Sequence, residues 1–206
     1  MTWTPPPIWS VPKEWTGERC FVLCGGESIK AQLPLVSALA GRIIAVKHAV
    51  RYRPDADVLF WAGECAESLA PPILPIFTGR YLVVRGKGHR VFPVTAKRID
   101  RTLNHMPADT GLSDDPTMVA GYDAGTSAIN LAYLFGATEI IVLGMDMTGP
   151  SGSPGMPGPS KATFDKHMEP LPLIAADAKR NGVRIVNVSP SSRVQCFERG
   201  RLEDFL

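Results

Sequence analysis

Residues 20–28 read Cys20-Phe21-Val22-Leu23-Cys24-Gly25-Gly26-Glu27-Ser28, a short apolar run, two glycines and a hydroxyl, followed by a helix-like stretch over 29–39 in which Pro34 predicts a kink. A run this short and this uniformly apolar suits a strand covered on both faces, as in a parallel sheet. The segment therefore reads as strand, glycine turn, helix. The theme repeats outward from it. Runs at 43–46, 58–61 and 81–84 have the same character, the first ending at Lys47-His48. Further on, 126–135 predicts a mostly buried helix closed by Gly136, 139–143 a strand ending at Gly144-Met145-Asp146, 173–180 a helix stopped by Asn181-Gly182, and 184–188 a last strand. Alternating strand and helix predicts an α/β fold, a three-layer sandwich with a mostly parallel, Rossmann-like sheet. Ligands of such folds sit beyond the carboxyl ends of the strands.

The flanking regions divide the chain into an arm over 1–18 and a single α/β nucleotide-binding domain over 19–206. The arm holds Trp3, Trp9 and Trp15 without periodicity, and its rings are expected to lie on the body. Of the 19 glycines and 19 prolines, eight fall within 149–159, so the stretch 147–161 reads as a lid next to a strand end. The 206 residues are 45% hydrophobic and 20% charged, proportions that exclude a chain disordered throughout. A net charge of +2 is too small to steer a duplex or an anionic membrane by the overall field, so any anion must be held locally. No run of 18 apolar residues occurs, residues 1–7 have neither the basic start nor the apolar core expected of a signal peptide, and the four cysteines include no C-x-x-C pair. These features predict a cytoplasmic protein with reduced thiols and no membrane partner.

Several polar groups fall at the predicted ligand edge. Gly25, Gly26 and Ser28 open a helix whose amides suit a phosphate, or they simply form a tight turn and cap. The pattern is neither G-x-G-x-x-G nor a Walker loop. Asp146, and Glu64 in the same sense, suit ribose hydroxyls, a metal or an acceptor, or cap a loop. Thr126 and Ser127 open the buried helix with Asn130 one turn on, a cluster that suits ligand contact or plain capping. His167 precedes Glu169-Pro170-Leu171-Pro172, where prolines suit a helix's first turn. A histidine there faces the positive end of a dipole, which favours an uncharged, proton-accepting ring. Ser191 and Ser192 follow the last strand, where they either hold an anion with Arg193 or make a turn. The basic residues Arg85, Lys87, His89 and Arg90 read as a solvated loop, or with Arg51 and Arg53 as a groove for DNA phosphates.

The G-G-x-S turn, Val46-Lys47-His48 with 54–58 behind it, and the stretch from Gly125-Thr126-Ser127 to Gly144-Met145-Asp146 together resemble the sialyltransferase-like superfamily. That group includes glycosyltransferase family 42 and the DUF115 or MptE-like proteins, among them bacterial and phage members. The tail from Lys166-His167 to Ser191-Ser192 is similar to the end of the sialyltransferase domain. The resemblance implies that Gly25, Gly26 and Ser28 approach the donor's phosphate or ribose, Thr126 and Ser127 the donor, and Ser191 and Ser192 the base. Asp146 then meets ribose or acceptor, and His167 deprotonates the acceptor hydroxyl. Lys47 and His48 stand where the family usually carries Asn and count with the nucleotide contacts. The implied activity is a glycosyltransferase-like transfer from a nucleotide-activated donor, with no obligatory cofactor and no metal site. Alternatives are a Mg-dependent pterin-type pyrophosphokinase using Asp146 and Glu64, and a non-catalytic nucleotide-binding module of the same fold. The expected partner is a nucleotide-containing small molecule; DNA as acceptor and a homo-oligomer are left open.

Overall fold

A computed structural model of the chain describes residues 7–62, 77–85, 100–106, 111–149 and 159–206. Among these, nine strands form one sheet in the order β6-β5-β4-β3-β2-β1-β7-β8-β9. The strands are β1 (Arg19–Leu23), β2 (Arg42–Val46), β3 (Val58–Trp61), β4 (Arg80–Arg85), β5 (Arg101–Met106), β6 (Met118–Ala120), β7 (Glu139–Leu143), β8 (Arg184–Asn187) and β9 (Glu198–Arg199). Every neighbouring pair is parallel, so the sheet is all-parallel where the sequence predicted it mostly so. The helices are α1 (Ile29–Val36), α2 (Ala124–Leu134), α3 (Lys161–Met168) and α4 (Leu171–Arg180), with 3₁₀ turns at Lys47–Tyr52 and Leu202–Phe205.

The apolar strands are explained by what covers them. Cys20, Val22, Ile44, Val58, Phe60, Ile140 and Val142 pack on one face with Ile129 of α2 and Ile174 of α4. Phe21, Leu23, Ile43, Leu59, Ile141 and Leu143 pack on the other with Ile29 and Val36 of α1 and Phe205. Successive side chains point to opposite faces, and here both faces are dry, so polar alternation is absent. The result is helix layer, sheet, helix layer.

From residue 7 on, the arm crosses the amino edge of the sheet; Trp3 lies outside the described residues. Trp15 stacks on Phe135 with centroids 3.9 Å apart and Trp9 meets the same ring edge-on at 6.0 Å. Backbone bonds from Trp9 to Thr102 and from Val11 to Pro116 fix the path.

Three strands and one helix go beyond the sequence reading. Strand β5 carries Arg101, Thr102, Asn104 and His105, β6 has three residues and β9 two. Helix α3 buries none of its residues, so it shows no apolar periodicity. The chain runs from β1 outward to β6, then crosses through α2 to β7 on the other side of β1. The strand order thus reverses between β1 and β7, and a crevice opens outside their carboxyl ends.

Candidate functional site

The turn after β1 lies against the turn after β7. The Cys24 amide donates to the Leu143 carbonyl and the Gly26 amide to the Gly144 carbonyl, each at 2.8 Å. A Cβ at Gly26 would stand 2.4 Å from the Gly144 oxygen and 2.6 Å from an Asp146 carboxylate oxygen, so only glycine fits. Gly144 itself turns the chain at φ +67°.

Asp146, 3% exposed, locks this arrangement. Its carboxylate accepts the Ser28 amide at 2.8 Å and the Ser28 hydroxyl, while its carbonyl accepts the Arg193 amide at 2.8 Å. Ser28 therefore commits its amide and hydroxyl to Asp146, the position an incoming phosphate would have used. Asp123 does the same at α2. It is the N-cap, and its carboxylate accepts the amides of Gly125 at 2.8 Å and Thr126 at 3.1 Å together with the Thr126 hydroxyl. Two helix N-termini at the crevice thus carry the chain's own carboxylates. Burial, with Asp123 and Asp146 adding repulsion, pushes the neighbouring Cys24 thiol well above its ordinary range. Cys24 is a protonated wall residue, not a nucleophile.

The opposite wall comes from the end of β2. Lys47 stands at φ 52° and Met147 at φ 53°, the two non-glycine residues in the left-handed region among the described residues, and both line the crevice. Left-handed backbone in such residues stores free energy where the surrounding structure holds it in place. Lys47→Gly is expected to raise stability by about 0.5–1 kcal/mol in a urea titration, because glycine adopts this conformation without a Cβ clash.

His48 is 7% exposed, meets Trp61 edge-on at 5.2 Å, and leaves its Nδ1 without a partner. Burial, then the positive charges of Arg51 and Lys47, hold its pKa below the usual value, so the ring is neutral at pH 7. The unfolded chain binds this proton more readily than the folded one, so His48 favours the fold above the unfolded pKa and costs stability as pH falls below it. Lowering pH from about 7.5 to about 5.5 is expected to reduce the melting temperature less in His48→Gln than in the parent chain.

Together these walls enclose a cavity of about 220 Å³, lined among others by Gly25, Gly26, Lys47, His48, Asp146 and His167. These six candidate residues, read from sequence, meet there. Thr126 and Ser127 do not line it; both are buried, Thr126 bonded to Asp123 and Ser127 with an unpartnered hydroxyl. Ser191 is exposed, and the Ser192 hydroxyl donates to the Met145 carbonyl, bracing the β7 turn from behind. Asn130 is a core amide bonded to Ser113 and Ala120.

His167 requires a correction. It belongs to the last turn of α3, a helix absent from the sequence reading, and not to the first turn of the helix that follows. The dipole end it lies at is therefore the negative one of its own helix, not the positive end of the next. Its place in the cavity wall beside Phe164 and Pro159 stands on geometry alone.

Asp123, a lining residue, was missed. Its signal was the Asp-x-Gly-Thr spacing, in which Asp123 caps a helix beginning at Ala124, two residues before the start read from sequence. Of the basic groove, Arg53 is engaged by Asp55 and by the carbonyls of Val36 and Leu39, and Arg51 donates to the His48 carbonyl. Glu64, Lys87, His89, Arg90 and most of the 147–161 stretch lie outside the described residues. Among the described residues no group of three His, Cys, Asp or Glu is placed to hold a metal ion, and no helix is long and apolar enough to cross a membrane. No protein-family model matches the chain, and no curated protein matches it.

Proposed function

We propose that the chain is a nucleotide-binding transferase of the sialyltransferase-like kind, moving a group from a nucleotide-activated donor to a hydroxyl acceptor. The observation that supports this is the convergence of Gly25, Gly26, Lys47, His48, Asp146 and His167 on one cavity at the point where the strand order reverses. Such a crevice is where parallel α/β sheets hold nucleotides. With two helix N-termini already capped by Asp146 and Asp123, the carboxylates face the donor's hydroxyls, and Lys47 supplies positive charge on the far wall. His167 accepts the acceptor's proton from the α3 side. Asp146, held by Ser28 and Arg193, is a fixed acceptor that orients the ligand.

Thermal shift with cytidine, uridine and adenine nucleotides and their sugar conjugates tests the binding half. A nucleotide present at 100 times its dissociation constant should stabilise the protein by about 2.7 kcal/mol. Absence of any shift across the series at millimolar concentration would remove the reading.

A further inference from the structure

Beside this cavity lies another that shares part of its wall. A second lobe of about 460 Å³ shares Met147, Thr148, Pro159 and Phe164 with the first and is walled by Lys161 and Arg193. The two lobes differ in charge. The first has Asp123 and Asp146 with Lys47 among its lining groups, whereas among the described residues the charged groups lining the second are both cationic.

Arg193 is the better fixed of the two. Its backbone amide donates to Asp146, one guanidinium nitrogen donates to the Met147 carbonyl at 3.2 Å and another to Asp165 at 2.5 Å. Its side chain is 33% exposed, so the planar fork is both anchored and reachable. Lys161, 79% exposed, pairs with the other oxygen of Asp165 at 2.8 Å. Asp165 does not line the lobe, but its single carboxylate pairs with both cations and so offsets part of their charge. An incoming oxyanion therefore competes with an internal carboxylate for the same donors, an exchange of like for like.

We propose that the second lobe is an oxyanion subsite that seats a phosphate or carboxylate group of the acceptor, with Arg193 and Lys161 as its charged walls. The assignment to the acceptor rests on the transferase reading; the binding of an oxyanion does not. A donor in the first lobe and an anionic acceptor in the second would meet at the wall they share, with His167 on the donor side of Phe164.

Calorimetry on the full chain at low ionic strength, with pyrophosphate and malonate as probes, separates the two kinds of anion. At least one is expected to bind, about five- to tenfold more weakly in Lys161→Gln and more tightly in Asp165→Asn, where the competing carboxylate is gone. Lys161 is exposed, so its substitution leaves the fold intact. Failure of both anions to bind at millimolar concentration, or an affinity unchanged in Lys161→Gln, would overturn the proposal. Uncharged nucleosides titrated in parallel distinguish the two readings. If they do not bind while an anion does, the transferase assignment fails and the subsite stands.

Discussion

Asn130→Ala is expected to remove about 3–5 kcal/mol of stability, a large share of the roughly 5–15 kcal/mol typical of a domain. Asn130 is fully buried, and its Oδ1 accepts the amide of Ser113 at 3.0 Å and that of Ala120 at 2.7 Å while its Nδ2 donates to the Ser113 carbonyl at 3.0 Å. Alanine leaves two amides and one carbonyl facing a dry interior. Each orphaned group costs roughly 1–3 kcal/mol, and at 2–4 °C per kcal/mol the melting temperature should fall by about 6–20 °C. The same change loosens the wall of the site, because Ala120 leads within three residues to Asp123. A loss below about 1 kcal/mol by urea titration would mean that water reaches these groups and that the knot is not what holds α2 to β6.

His167→Ala is expected to lower the transfer rate by about 10²–10⁴-fold, the usual contribution of a positioned base. The half-buried ring sits on a helix that buries no residue, so stability should stay close to that of the parent chain. A fall in kcat with KM nearly unchanged assigns His167 to the chemical step. Ser191→Ala is the control, because Ser191 is exposed and lines neither lobe of the cavity. Equal effects of the two substitutions, or no effect of the first, would contradict a base at this position.

The sheet's centre was legible because it is buried on both sides. Runs such as Phe21-Val22-Leu23 and Ile140-Ile141-Val142 have no reason to carry polar residues when α1 covers one face and α2 with α4 covers the other. Toward the β6 edge that reason weakens. Strand β5 carries Asn104 and His105, half-exposed, within a six-residue strand, so its pattern is not apolar, and β9 is too short to have a pattern. Helix α3 is held by Arg193 to Asp165 and by the half-buried Phe164 and Met168, contacts that leave no periodic trace.

The site divides in the same way. Strand ends announced Gly25, Lys47 and Asp146, because a ligand edge follows from parallel topology. Pairings across the fold were not legible. That Ser28 belongs to Asp146, 118 positions away, and that Ser192 props Met145 are consequences of β1 lying beside β7 and β7 beside β8. Of the hydroxyls read as ligand contacts, those of Ser28, Thr126 and Ser192 are engaged by the protein itself. His167 reached the cavity by way of a helix whose existence only packing around Arg193 reveals.

Crystals grown with cytidine, uridine or adenine nucleotides test the central claim most directly. A nucleotide seated between the Gly25-Gly26 turn, Lys47, Asp146 and His167 is the expected result. A nucleotide bound elsewhere on the chain, or a cavity still empty at saturating concentration of all three, would contradict the account.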